Sequence, residues 1–283
     1  MRFMVLVKGN ADSEAGKLPS EAELSAMGDF NQGLIDAGMM LGGEGLKQSS
    51  SGVRVRYRDG KTTVVDGPFA EAKELVAGYW LLRAGSKDEL VERLKGAPCF
   101  DQGGELEVRE LYEAEDFGGD SNAPAPPQPP AKPNTRRYLT MLFADRFTEA
   151  GGAPSPELVE KMGGLMGEIA SQGALLSGDG LKPSSKGAKI VFNGKDRRVV
   201  DGPFTETKEI IAGISVVRAT SKEEAVEWAR RMLVIHCEGV GVKEGQVEVR
   251  QIMETSDFPV DPNEKAGGWR DQENAFRERT GQG

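Results

Sequence analysis

Residues 64–84 read VVDGPFAEAKELVAGYWLLRA, and residues 199–219 read VVDGPFTETKEIIAGISVVRA. Asp66-Gly67-Pro68-Phe69 thus returns as Asp201-Gly202-Pro203-Phe204, an offset of 135 residues. The same offset carries Phe3 onto Tyr138, Gly45-Leu46-Lys47 onto Gly180-Leu181-Lys182, Glu71 and Lys73 onto Glu206 and Lys208, and Arg83 onto Arg218. One period held over most of a domain marks a duplication. Farther on, Glu107-Val108-Arg109 matches Glu248-Val249-Arg250 at an offset of 141. The second copy therefore carries six extra residues, expected in a loop around His236 to Glu244.

Working outward, residues 2–7 and 137–143 alternate as opening strands. Ser20 with Glu23 forms a capping-box signature ahead of Leu24, Met27, Phe30, Leu34 and Ile35 on one helical face, with Gly38 as the stop. Ser155, Pro156 and Gly173 repeat the pattern. Residues 53–65 predict a hairpin turning at Asp59-Gly60, and residues 189–200 one turning at Asn193-Gly194. The glycines are slid by one position, so the two turns are expected to differ. A strand follows at 77–83 and at 212–218, then a helix capped by Ser86 or Ser221, then a closing strand at 106–111 and at 247–252. The glycines at 42–45 and 178–180 read as bulges or turns, since they fit no phosphate-binding pattern.

The order strand, helix, hairpin, strand, helix, strand is a ferredoxin-like βαββαβ plan with an extra hairpin strand, an α+β fold. Phe3, Val5, Leu6 and Tyr79 to Leu82 leave more apolar surface than one helical layer covers. Each sheet is therefore expected to lie on the other, giving two tandem ferredoxin-like domains in one pseudo-dimeric α+β barrel. The boundaries read as 1–117 and 136–258, with a proline-rich linker at 118–135 containing APAPPQPPAKP. A C-terminal tail, 259–283, has lost apolar periodicity apart from Trp269 and Phe276 and reads as an arm or partly disordered segment.

A net charge of −9 argues against nucleic acid as a partner. No apolar run reaches membrane-span length, and MRFMVLVKGN opens on a strand rather than a secretory leader. Two cysteines, Cys99 and Cys237, suit free thiols in a reducing compartment. A soluble cytoplasmic protein is expected.

The two quoted stretches, with GEGLK and GDGLK upstream and the closing EVRE and EVRQ, resemble the DGPF group of YciI-related domains over nearly all of both copies. That resemblance implies a ferredoxin-like fold pairing into dimeric α+β barrels, bacterial cytoplasmic occurrence and genomic association with extracytoplasmic-function sigma factors. It implies no settled activity. The better-studied branch is proposed to use a His and Asp pair; Met27 and Met162 stand where that His would fall, and no Asp-Pro-Tyr follows the second helix.

Asp66 and Asp201 are the candidate catalytic carboxylates, against a folding role in which Asp accepts local N–H groups, Gly takes positive φ and Phe plugs the core. Glu71, Lys73 and Glu74 with Glu206, Lys208 and Glu209 are candidates to help them bind a ligand. Arg83 and Arg218 end matching strands and suit a carboxylate or phosphate, as do Arg109 and Arg250. His236 beside Cys237 forms neither a four-ligand metal site nor an oriented nucleophile and reads as a loop histidine without a role. No cofactor or metal is called for. Three functions stay open: a small-molecule-binding or regulatory module with its cavity between the sheets, a cofactor-independent isomerase, lyase or monooxygenase near the Asp-Gly-Pro-Phe turns, or a sigma-factor partner. Further homodimerisation is also left open.

Overall fold

The computed structural model describes residues 1–69, 75–100, 102–117, 134–204, 209–258 and 268–280. The first repeat holds β1 (Arg2–Lys8), α1 (Ala11–Glu14), α2 (Glu21–Asp36), β2 (Met40–Gly45), β3 (Val53–Arg58), β4 (Lys61–Asp66), β5 (Val76–Arg83), α3 (Lys87–Leu94) and β6 (Gly104–Glu110). The second holds β7 (Arg136–Phe143), α4 (Arg146–Glu149), α5 (Pro156–Ser171), β8 (Leu175–Gly180), β9 (Ala188–Asn193), β10 (Asp196–Asp201), β11 (Ile211–Ala219), α6 (Lys222–Val240) and β12 (Glu244–Gln251).

Local chemistry sets the helix ends. Ser20 caps α2 in a reciprocal box with Glu23, and Gly38 follows it at φ +68°. Ser155 caps α5 with Pro156 in its first turn. Ser86 and Ser221 accept the Glu89 and Glu224 N–H groups at 3.1 and 3.2 Å. The hairpin turns differ as expected. Asp59 and Gly60 both take positive φ, whereas in the second turn Gly194 alone does.

The glycine-rich segments lie in strands, β2 and β8, which edge the sheets beside β5 and β11, and each strand carries a break in register: one residue is skipped between Met40 and Gly42 and one between Leu175 and Ser177. Gly43 has no room for a side chain, since an added Cβ would sit 2.9 Å from the Trp80 ring. The six inserted residues do not form a loop. They extend the second helix, so α6 runs 19 residues where α3 runs 8.

The hairpins cross over between repeats. One sheet runs β10-β9-β6-β1-β5-β2 and the other β4-β3-β12-β7-β11-β8, so each repeat lends its hairpin to the other's closing strand. Val55 pairs with Val247 and Ile190 with Leu106 in antiparallel register. The sequence pattern places a hairpin in each repeat without assigning its sheet, and the exchange supplies that assignment. Isolated bridges Leu46–Ile252 and Leu111–Leu181 join the sheets at their ends.

Alternation in β1 sends Phe3 and Val5 to the helix side and Met4 and Leu6 to the opposite sheet. Both faces are thus covered, and the two repeats form one pseudo-two-fold α+β barrel. The space between the sheets is not an open cavity. Met4, Leu6, Leu139, Met141, Ile214 and Val216 fill its middle, all buried.

The tail contains α7 (Trp269–Thr280), which packs on α2 with Phe276 buried in the first repeat's core. The sequence reading of this stretch as an arm or disordered segment missed one anchored helix. Among the described residues no helix is long and apolar enough to cross a membrane.

Candidate functional site

The closing strands carry alternating charges. In β6, Leu106 and Val108 face the helices, so Glu107 and Arg109 turn inward between the sheets. Glu248 and Arg250 do the same in β12. These four side chains are between 0% and 2% exposed, and a buried charge survives only when paired and hydrogen-bonded.

Each pair meets the hairpin lent by the other repeat. Arg250 donates through Nε to the Lys47 carbonyl at 3.0 Å and through a terminal nitrogen to Glu248 at 3.0 Å. It also faces Glu14 on α1 at 3.6 Å. Glu14 accepts from the hydroxyl and N–H of buried Ser49, and the Ser49 hydroxyl in turn accepts the Phe69 N–H at 3.2 Å. The equivalent chain is Arg109, Glu149, Ser184 and Phe204, with the Ser184 hydroxyl 2.5 Å from Glu149 and the Phe204 N–H 3.1 Å from Ser184. Two short helices absent from the sequence reading therefore position the carboxylates Glu14 and Glu149. Their signal was present, because Glu14 and Ser49 recur at the same 135-residue offset as Glu149 and Ser184.

The repeats diverge in how they neutralise the buried glutamate. Lys8 Nζ holds Glu107 at 2.8 Å, and its counterpart in the second repeat is Phe143. Arg54 Nε holds Glu248 at 2.7 Å, and its counterpart is Lys189, which reaches Glu105 instead at 3.0 Å. Burial alone would push the Glu107 carboxyl up, but Lys8 and Arg109 prevail and hold it below its ordinary value.

Arg54 also meets two aromatic rings. Its guanidinium lies between the Phe69 and Phe143 rings, 4.3 and 5.3 Å from their centroids. One terminal nitrogen reaches Glu209 at 3.2 Å. Leu75, Val76, Met141 and Ile211 line a narrow cleft here together with Glu248. Glu209 is a member of the predicted ligand-binding sets that this site includes.

The structure sends the other candidates elsewhere or leaves them undescribed. Asp66 and Asp201 are exposed and pair across the repeats with Lys222 at 3.2 Å and Lys87 at 2.6 Å, so neither lines the cleft. Gly67 and Gly202 are not positive-φ residues. An added Cβ at either would lie 1.8 Å from the carbonyl of Ser49 or Ser184, and close approach is what demands glycine. Phe204 is buried as a core plug, whereas Phe69 is half-buried over Arg54. Arg83 is exposed; Arg218 is buried close to Arg137, and burial followed by that like charge lowers its pKa. Glu71, Lys73, Glu74, Glu206 and Lys208 lie outside the described residues.

His236 has a partner, contrary to the loop reading. It stands on α6 with Nε2 2.7 Å from Asp145 Oδ2, while Asp145 Oδ1 accepts the Phe147 and Thr148 N–H groups at the start of α4. Burial works against the Asp145 carboxylate, but the His236 contact and these two N–H donors outweigh it and lower its pKa. The pair thereby fixes the helix that carries Glu149. Beside it, burial pushes the Cys237 thiol up to about 12, which leaves it inert as a nucleophile. Among the described residues no group of three or more His, Cys, Asp or Glu side chains is placed to hold a metal ion.

Two ferredoxin-like repeats that exchange hairpins and close into one barrel define this chain as a duplicated α+β barrel protein. It belongs to the YCII-related domain family, whose model matches residues 1–115 and again 141–256. The chain is 34% identical over 58 residues to an uncharacterized protein, R00369, of Rhizobium meliloti (strain 1021); the match covers 20% of this chain and 47% of that protein, about half its length. Among solved structures it is similar to an anthrone oxidase-like protein at 12% identity, covering 89% of this chain and 90% of that one, with a TM-score of 0.33. A putative chlorite dismutase, TA0507, is similar at 8% identity, 90% and 95% coverage and a TM-score of 0.33. Likeness of that grade carries no functional weight.

Proposed function

We propose that the chain is a small-molecule-binding module that takes a small anion with an apolar body in the cleft at Arg54. The observation supporting this reading is the division of labour on that guanidinium. Its Nε is committed to buried Glu248 at 2.7 Å, while its terminal nitrogen makes the longer 3.2 Å contact with Glu209, whose side chain is 20% exposed. Glu209 is the replaceable partner. A ligand carboxylate could take its place on the guanidinium, with the apolar remainder against Met141, Phe143, Val76 and Ile211. At the equivalent position the second repeat offers Lys189, committed to Glu105, so one ligand per chain is expected.

The test is a thermal-shift and calorimetric screen of small aliphatic and aromatic carboxylates against the wild-type chain and Arg54→Lys, which keeps a charge beside Glu248 but lacks the forked second arm. At least one compound should bind the wild-type chain and lose at least about tenfold affinity in the variant, the scale of one charge-assisted contact. Binding of none, or equal binding to both, would overturn the reading.

A further inference from the structure

Helix α7 occupies a place in the first repeat that has no occupant in the second among the described residues. It lies beside α2 and the edge strand β2, with Trp269 against Gly28, Phe276 in the core and Arg277 at the end. Arg277 bridges Glu44 at 2.7 Å and Glu254 at 2.8 Å, the same two carboxylates that hold Arg137. Two arginines and two glutamates make a closed square there.

The duplication identifies the matching surface residue by residue. Gly28 and Gln32 of α2 correspond to Gly163 and Gly167 of α5, Met40 to Leu175, Glu44 to Asp179, and Arg137 to Arg2. Glu254 corresponds to Glu113 at the longer offset. Arg2 reaches both Glu113 at 2.8 Å and Asp179 at 2.7 Å, as Arg137 does, but among the described residues no second arginine completes this square.

Burial records the difference. Met40, Gly42 and Glu44 of β2 are buried, whereas Leu175, Ser177 and Asp179 of β8 are all partly exposed. Cβ atoms added at Gly163 and Gly167 would meet nothing within 4 Å, and Val159 on the same helix is 51% exposed. The longer α6 does not fill the space, because it packs on the opposite side of α5 through Gly239 against Leu158 and Arg231 on Glu168.

We infer that the α5–β8 flank is a docking surface for an amphipathic helix of another protein, built like α7: an aromatic anchor, a second aromatic seven residues on, and an arginine next to it. The glycines let such a helix approach α5 closely, and Leu175, Met166 and Ala170 offer it an apolar floor. Its arginine would span Asp179 and Glu113, a pair of carboxylates that one arginine leaves with a net negative charge. The chain's own α7 is committed to α2 and cannot serve both sides.

A fluorescently labelled peptide of residues 268–283 is the probe, titrated into the full-length chain and followed by anisotropy. Saturable one-to-one binding is expected, weakened at least about tenfold by Gly163→Lys with Gly167→Lys, the loss expected when anchors are blocked. Both positions face open space, so the variant should melt no lower than wild type. Asp179→Asn should also weaken binding, and a peptide carrying Arg277→Ala should bind the wild-type chain less tightly. Absence of binding, or binding indifferent to the two lysines because the peptide displaces α7 from α2, would overturn the inference.

Discussion

Arg54 on β3 stands directly across from Glu248 on β12, Nε to Oε2 at 2.7 Å, and so ties the first repeat's hairpin to the second repeat's last strand. This contact makes the hairpin exchange a matter of charge as well as backbone pairing. Its counterpart at Glu107 is held by Lys8, a residue of the repeat's own first strand. The same buried carboxylate is thus served from opposite directions in the two halves.

Glu248→Gln should destabilise the chain by about 3 kcal/mol, because Arg54 and Arg250 would be left buried without their shared counter-charge. Urea denaturation measures this. A loss under about 1 kcal/mol would show that the pair is not what holds the junction.

Lys8→Phe should destabilise the first junction, and adding Lys189→Arg should recover part of the loss by recreating the arrangement seen around Glu248. A double-mutant cycle should give a favourable coupling of about 1–3 kcal/mol between the two positions. Strict additivity would mean that the side chains act independently.

The conspicuous tetrapeptide should owe its constraint to glycine rather than aspartate. Gly67→Ala or Gly202→Ala places a methyl group 1.8 Å from a carbonyl oxygen and should cost at least about 3 kcal/mol, an overpacking penalty at the top of its usual range. Asp66→Asn and Asp201→Asn remove only exposed ion pairs and should each cost under about 1 kcal/mol. Gly163→Ala, in open space on α5, should instead stabilise by about 1 kcal/mol. Melting of the five variants distinguishes these signs.

Residues 1–117 expressed alone should form a homodimer. The hairpin β3–β4 finds its pairing strand in the second repeat, so an isolated first repeat leaves the hairpin and the free edge of β6 unpaired. A second copy of the fragment offers both partners. Light scattering reads the mass, and a stable folded monomer would contradict the expectation.

Asp145 should impart an acid dependence to stability. Its carboxyl titrates lower folded than unfolded, so its contribution is present above the unfolded value and lost as pH falls through the folded one, a window lying below about pH 4. Asp145→Asn should lower stability at pH 7 by about 1 kcal/mol through the weakened cap and flatten the acid limb of the stability curve. An unchanged limb would assign the acid dependence to other carboxylates.

Sequence alone determined the duplication, the strand and helix pattern, the serine caps and the need for each sheet to cover the other, because these rest on spacing and on local hydrogen bonds. It also displayed Glu107-Val108-Arg109 and Glu248-Val249-Arg250, whose charges alternate with apolar residues, although not that they point inward. Which sheet receives each hairpin was a tertiary decision. Alternation specifies a strand's faces but not its neighbour, and the closing strands of the two repeats present nearly the same edge to β3 and β9. The site at Arg54 arises only from that exchange, since Arg54, Phe69 and Leu75 meet Glu209, Glu248 and Phe143 from the other repeat. The helix in the tail escaped notice for a related reason: two aromatics and an arginine make a weak periodic signal by themselves, and their anchoring comes from α2, Glu44 and Glu254 far away in the chain.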